Sequence, residues 1–176
     1  MREHKGTVYE GGIRVPFFAV YPGHIPAGSS CALPVTSLDV FATACALAGT
    51  KPETIHPLDS LDMLPVLAGK AKTATHATLY WEFGANQAVA DGDLKLVVTK
   101  DGKQLFDLAS DSGEKKDLAA TRPQDVARLS ALLAQWQAQT VKPLWGPGSD
   151  KGKTAKAATL QPLTGDLAGE QEEATK

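Results

Sequence analysis

The hydrophobic pattern changes period several times along the chain, and each change predicts an element. Ile13, Val15, Phe17, Ala19 and Tyr21 alternate with Arg14, Pro16, Phe18 and Val20. That period of two predicts a strand. Because both alternating sets are mostly apolar, the strand reads as covered on both faces, as in an α/β sheet. Gly11 and Gly12, just ahead of it, are free to take positive φ and to let backbone approach backbone closely. Tyr21 to Gly28 is dense in turn formers and predicts a surface loop.

From Thr36 the period shifts to steps of three and four. Leu38, Phe41, Cys45 and Ala48 form one stripe of a packing helix, with Thr36 or Ser37 as its cap and Asp39 in its first turn, where a carboxylate meets the positive end of the dipole. Gly49 fits just past its end. Between Lys51 and Thr75, Pro52, Pro57 and Pro65 break any period. This predicts a long irregular connection with one short helical turn near Pro65.

Strand patterning resumes near Thr75. Leu79, Trp81 and Phe83 alternate with Tyr80 and Glu82, and Ala88 to Ala90, Leu94 to Lys100 and Lys103 to Leu108 follow. Asp91-Gly92 and Asp101-Gly102 are turn signals between them. Thr121 with Gln124 makes a capping box with Pro123 in the first turn, and Val126, Leu129, Leu133 and Trp136 mark a stripe able to close over one face of the sheet. The result is a small α+β unit of four antiparallel strands and a helix. Beyond Trp145 the sequence is rich in Gly, Lys, Ala and Thr, without an aromatic residue, and predicts a flexible tail.

Composition narrows the partners. A chain of 176 residues with 43% hydrophobic residues has material for a core. With 18 basic against 20 acidic residues and a formal charge of -2, it presents no basic field for nucleic acid. No apolar run approaches a membrane span, and Met1 to Lys5 lacks the apolar centre of a secretory leader. Cys31 and Cys45 either pair or remain separate thiols, and two cysteines define no disulfide framework. Cys45 lies on the apolar stripe, as a small buried thiol does.

Candidate chemistry is sparse. Lys5 precedes the double-glycine turn, where a fixed cation would meet an anion without reorganising; from spacing alone it reads equally as a solvated lysine. Arg14 is expected to be structural, paired with Glu10 across the glycine turn. Asp59 and Asp62 lack further oxygen ligands, and His24 sits in a turn without a second ligand at useful spacing. Neither is assigned a role.

The run Lys5-Gly-Thr-Val-Tyr-Glu-Gly-Gly-Ile-Arg-Val-Pro16, followed by Tyr21-Pro-Gly-His-Ile-Pro26, resembles the segment after the metal-binding Asp-Asn pair in sulfatases of the formylglycine type. The resemblance continues through Ser37-Leu-Asp39 to Gly49, Ala88-Val-Ala-Asp-Gly-Asp-Leu-Lys-Leu96 and Leu105-Phe-Asp-Leu-Ala-Ser-Asp-Ser-Gly-Glu114 to Trp136. It spans residues 4 to 145, in family order, and concerns the C-terminal part of such enzymes. It implies an α/β fold class: the end of an alkaline-phosphatase-like α/β domain over residues 1–75, then a small α+β subdomain over 76–145, then the tail at 146–176. It further implies hydrolysis of sulfate esters, of sugars or aryl groups, by the whole enzyme, in a periplasmic or secreted setting, with calcium as its metal and no nucleic-acid or membrane partner.

Residue by residue, Lys5 matches the lysine whose ammonium contacts a sulfate oxygen. His56 is a second candidate, because loops in this region of the family border the substrate cleft. The Cys-x-Pro-x-Arg motif that yields formylglycine is matched by neither Cys31 nor Cys45, and the acidic and amide metal ligands would lie upstream, so no calcium site is expected in this chain alone. Val89-Ala90 and Leu94-Lys95-Leu96 depart from the family's Val-Arg and Trp-Lys-Leu, so no arginine contact is expected at position 90. Two other readings stay open: a non-catalytic interaction or scaffold module, and a related phosphate or phosphonate ester hydrolase.

Overall fold

The computed structural model describes residues 1–52 and 58–141. In chain order they form α1 (Glu10–Ile13), α2 (Asp39–Leu47), α3 (Leu64–Leu67), β1 (Thr78–Phe83), β2 (Asn86–Asp91), β3 (Leu94–Thr99), β4 (Gly102–Asp107) and α4 (Pro123–Gln137). The tail expected from residue 146, and His56, lie outside the described residues.

The four strands form an antiparallel meander in the order β1-β2-β3-β4. Its turns sit where a glycine supplies positive φ, at Gly84 and Gly92 (φ 64° and 59°). Thr99 pairs with Gly102, so the last hairpin turns on Lys100 and Asp101, one residue earlier than the Asp-Gly signal suggests.

Register decides which residues share a face. Tyr80, Val89, Leu96 and Leu105 lie in one cross-strand row, and Trp81, Ala88, Val97 and Gln104 in the next. Successive residues point to opposite faces. The first row packs on Leu129 and Leu133 of α4, with Tyr80 stacked on Trp136 at 5.2 Å between ring centroids. The predicted stripe of α4 therefore closes one face of the sheet. Its capping box does not form: Pro123 starts the helix, the Thr121 hydroxyl donates to the Leu118 carbonyl, and Arg122 donates to Asp125 at 2.7 Å.

The opposite face is covered by the N-terminal stretch. Val8 is buried against Ala88, Val97 and Phe106, with Tyr9 and Trp81 packed around them. The sheet thus has two covering layers, one from each end of the chain.

Residues 13–21 depart from the expected strand. Glu10–Ile13 is a single helical turn, and positions 14–21 carry no regular secondary structure. Phe18 and Val20 are each 89% exposed. A strand is stabilised by its neighbours, and among the described residues none of the four strands pairs with this segment.

The α2 stripe is also turned about. The helix ends at Gly49 (φ 70°) as expected, but Leu38 and Phe41 are more than half exposed while Asp39 and Thr43 are buried. The buried side is polar because it binds backbone: Leu61 and Met63 donate their amides to Asp39 and Thr43 at 3.0 Å. No hydroxyl caps α2; instead Asp39 reaches back to accept the Thr36 amide at 2.9 Å. α3 is the helical turn expected at Pro65, and Asp62 accepts the Leu64 amide at its start.

Candidate active-site rim

Residues 2 to 12 fold into a closed loop with Lys5 exposed midway along it. The Gly11 amide donates to the Arg2 carbonyl at 2.8 Å, Gly12 to Tyr9 at 2.8 Å, and the Thr7 hydroxyl to the His4 carbonyl at 2.9 Å. The double glycine is needed here for space. A Cβ on Gly11 would fall on the carbonyl oxygens of Glu3 and Arg2, and one on Gly12 on the Thr7 carbonyl oxygen. Neither glycine has positive φ, so close backbone approach is the property in use.

Beneath the loop lies a charge cluster that sequence reasoning missed. Lys95 on β3 is fully buried, with its Nζ 2.8 Å from Glu10 Oε1 and 2.9 Å from Glu114 Oε1. The first contact is a hydrogen bond, whereas the second lies outside hydrogen-bonding geometry and is an ion pair only. Glu114 uses its other oxygen to accept the Glu10 amide at 2.7 Å, and its carbonyl accepts Arg2 at 3.2 Å. Arg14 approaches Glu10 at 3.6 Å, as expected, but it is the half-exposed, weaker partner. The available signal was register: Lys95 shares its face with Val97, and a lysine on an apolar face needs a carboxylate.

Aromatic contacts complete the support. The Arg2 guanidinium lies 4.2 Å above the Tyr9 ring, and the Tyr9 hydroxyl donates to Gln104 at 2.6 Å. Burial pushes the Tyr9 hydroxyl pKa up, against the opposing charge of Arg2.

A second polar contact joins the two parts of the chain. His76, just ahead of β1, lies 2.7 Å from Asp39. Burial alone would raise the Asp39 pKa, but the Leu61 and Thr36 amides and His76 together hold it below the ordinary carboxylate value. No role had been assigned to His76 from the sequence.

The remaining candidates come apart. His24 stacks on Tyr21 at 3.9 Å, Asp59 is exposed, and Cys31 and Cys45 are both free thiols. Among the described residues no group of three or more His, Cys, Asp or Glu side chains is placed to hold a metal ion. The described residues therefore do not fit calcium by themselves.

No protein-family model matches the chain. Bovine (Bos taurus) arylsulfatase A is 31% identical over 173 residues, covering 78% of this chain and 34% of the relative. Mouse (Mus musculus) N-acetylgalactosamine-6-sulfatase is 36% identical over 91 residues, covering 52% and 17%. The chain is homologous to the C-terminal region of sulfatases. The solved structure BT33336S-sulf, from work on glycosaminoglycan metabolism by Bacteroides thetaiotaomicron, aligns with a TM-score of 0.68 at 24% identity, over 78% of this chain and 32% of that one. That structure therefore shares the fold of this chain, whose described residues form a four-stranded antiparallel sheet with a packed helix. The chain spans about a third of the length of bovine arylsulfatase A.

Proposed function

We propose that this chain is the C-terminal portion of a sulfate-ester hydrolase and that Lys5 contacts the sulfate group. The observation that carries the reading is the 31% identity to arylsulfatase A across most of the chain. The names of the relatives, an arylsulfatase and an amino-sugar 6-sulfatase, support sulfated sugars or aryl sulfates as the substrate class. The division into residues 1–75, belonging with a larger domain, and 76–145, a subdomain, is part of the same proposal.

Physically, an exposed ammonium on a braced loop suits the task. Negative charge on the oxygens of a transferring sulfuryl group is stabilised by a cation already in place. A lysine presents that charge as a compact point with rotatable donors. The nucleophile and the calcium ligands would be supplied by residues preceding this stretch, so the 176-residue chain alone is expected to turn over an aryl sulfate only at background rate.

The test is made in the longer protein encoded in frame with this chain. An upstream Cys-x-Pro-x-Arg or Ser-x-Pro-x-Arg run is expected there, and Lys5→Ala is expected to lower aryl sulfate turnover by about 10²-fold while melting is unchanged. Absence of that run would return the chain to the scaffold reading, and an unaltered rate with normal melting would reduce Lys5 to a surface residue.

A further inference from the structure

We propose that Lys95 and Glu114 are positioning residues for Lys5, so that the small sheet takes part in substrate recognition through the loop it holds; this rests on the reading of Lys5 given above. Three features carry the inference. Lys95, Glu10 and Glu114 are all buried, at 0%, 5% and 0% exposure. A buried charge cluster of this kind is a poor source of net stability, because desolvation offsets most of the attraction. Its geometry, however, is directed at one place.

Every polar group of Glu114 that the cluster uses points to the Lys5 loop or its anchor. One carboxylate oxygen holds the Glu10 amide, the other faces Lys95, and the carbonyl takes Arg2. Arg2 and Gly11 close the loop between them at 2.8 Å. Both ends of the Lys5 loop are therefore fastened to one residue of the subdomain.

Glu114 also adopts a left-handed backbone, φ 52°. A non-glycine residue there is strained and persists only where its surroundings demand it. The demand here is that a side chain and a carbonyl of the same residue meet Glu10 and Arg2 together; a glycine would relieve the strain and lose the carboxylate. Lys95 completes the clamp from below by placing its ammonium between the two carboxylates, which lowers the repulsion between them.

Position matters at this loop because a shift of about 1 Å in a contacting group can cost on the order of 10²-fold in rate. In the longer enzyme, Lys95→Met is expected to lower kcat about as much as Lys5→Ala, with KM much less affected. Combined with Lys5→Ala it is expected to add almost nothing, since both changes remove the same contact. Lys95→Arg, which restores the charge, is expected to recover part of the rate.

In the 176-residue chain, Lys95→Met is expected to release amide protection at Gly11 and Gly12 while Leu96 and Leu105 stay protected. Should Lys95→Met fail to fold, Glu114→Gln, which keeps the shape and an acceptor, carries both measurements. Full protection of Gly11 and Gly12, or a rate loss that simply adds to that of Lys5→Ala, would overturn the positioning role. A normal rate in Lys5→Ala alone would instead overturn the functional reading and leave the exchange result to stand by itself.

Discussion

Glu10 and Lys95 lie 85 positions apart in the chain and meet at 2.8 Å on the face of the sheet opposite α4. Glu10 belongs to the one helical turn of the N-terminal stretch, and Lys95 to a central strand of the meander. Their contact ties the loop carrying Lys5 to the small sheet. It also makes the buried charges interdependent, because removing Lys95 takes from both buried carboxylates the ammonium they share.

Lys95→Ala is accordingly expected to destabilise the chain by about 3–5 kcal/mol, the cost of breaking a buried ion pair from one side. Lys103→Ala provides the contrast: Lys103 is exposed and its ammonium donates to Ser130, and a change there is expected to cost less than about 0.5 kcal/mol. Urea midpoints of the two variants measure the difference. Equal midpoints would mean that the cluster is hydrated in solution.

Gly11→Ala tests the closed loop directly. Its new methyl would meet the Glu3 and Arg2 carbonyl oxygens, which are backbone and cannot swing aside. The loop must open, at a cost of about 1–3 kcal/mol by analogy with overpacked sites. Gly28→Ala is the control for glycine content, because a Cβ there meets nothing within 4 Å, although its φ of 69° is itself left-handed. A thermal melt of Gly11→Ala that falls no further than that of Gly28→Ala would show that the loop is open already.

The sheet and its helix were legible in the sequence because their determinants are local: alternation over six-residue strands, glycines at the turns, and a stripe at Val126, Leu129, Leu133 and Trp136. The segment from Ile13 to Tyr21 was misread because its pattern is a strand's, yet a strand also needs a partner edge, which is a tertiary property. The α2 stripe failed for a related reason. Periodicity locates an apolar face, whereas Asp39 and Thr43 bury the opposite face by binding the backbone of residues 61–63. Around the proposed site, the Glu10–Arg14 pairing came from spacing, while Lys95 and Glu114 required register and a turn 104 positions from Glu10.

Acid should loosen the α2 region through Asp39. The folded Asp39 carboxyl titrates below its ordinary value of 3.8, so its ionised form is the one the fold stabilises. That contribution is fully present above the ordinary carboxylate pKa, and it is lost as pH falls from there through the lower folded value. Asp39→Asn should remove this dependence and cost about 1.5–3 kcal/mol near neutrality, the range for hydrogen bonds to a charged group. Urea midpoints followed downward through the carboxylate range are expected to fall more steeply for the unsubstituted chain. Parallel curves would place the acid sensitivity elsewhere.

The last expectation concerns what completes the small sheet. A piece running from Thr75 to Val141 keeps Leu96, Leu105 and Leu129 on the α4 side, so its strands and helix should form. On the other face it loses Val8, which is only 2% exposed, and Tyr9, and so uncovers Val97, Phe106 and Trp81. The same cut removes Glu10 from Lys95 and leaves the lysine with Glu114 alone. Burial of one valine side chain is worth about 1.5–3 kcal/mol, and an uncovered apolar face on a sheet invites association. The piece is therefore expected to bind a hydrophobic dye, to elute as an oligomer and to lose amide protection at Val97 and Phe106 when diluted to monomer. Extending it with residues 1–13, supplied in trans as a peptide, should reverse all three. A monomeric piece with no dye binding and a protected Val97 would show that the N-terminal stretch merely lies on the sheet and does not form one of its layers.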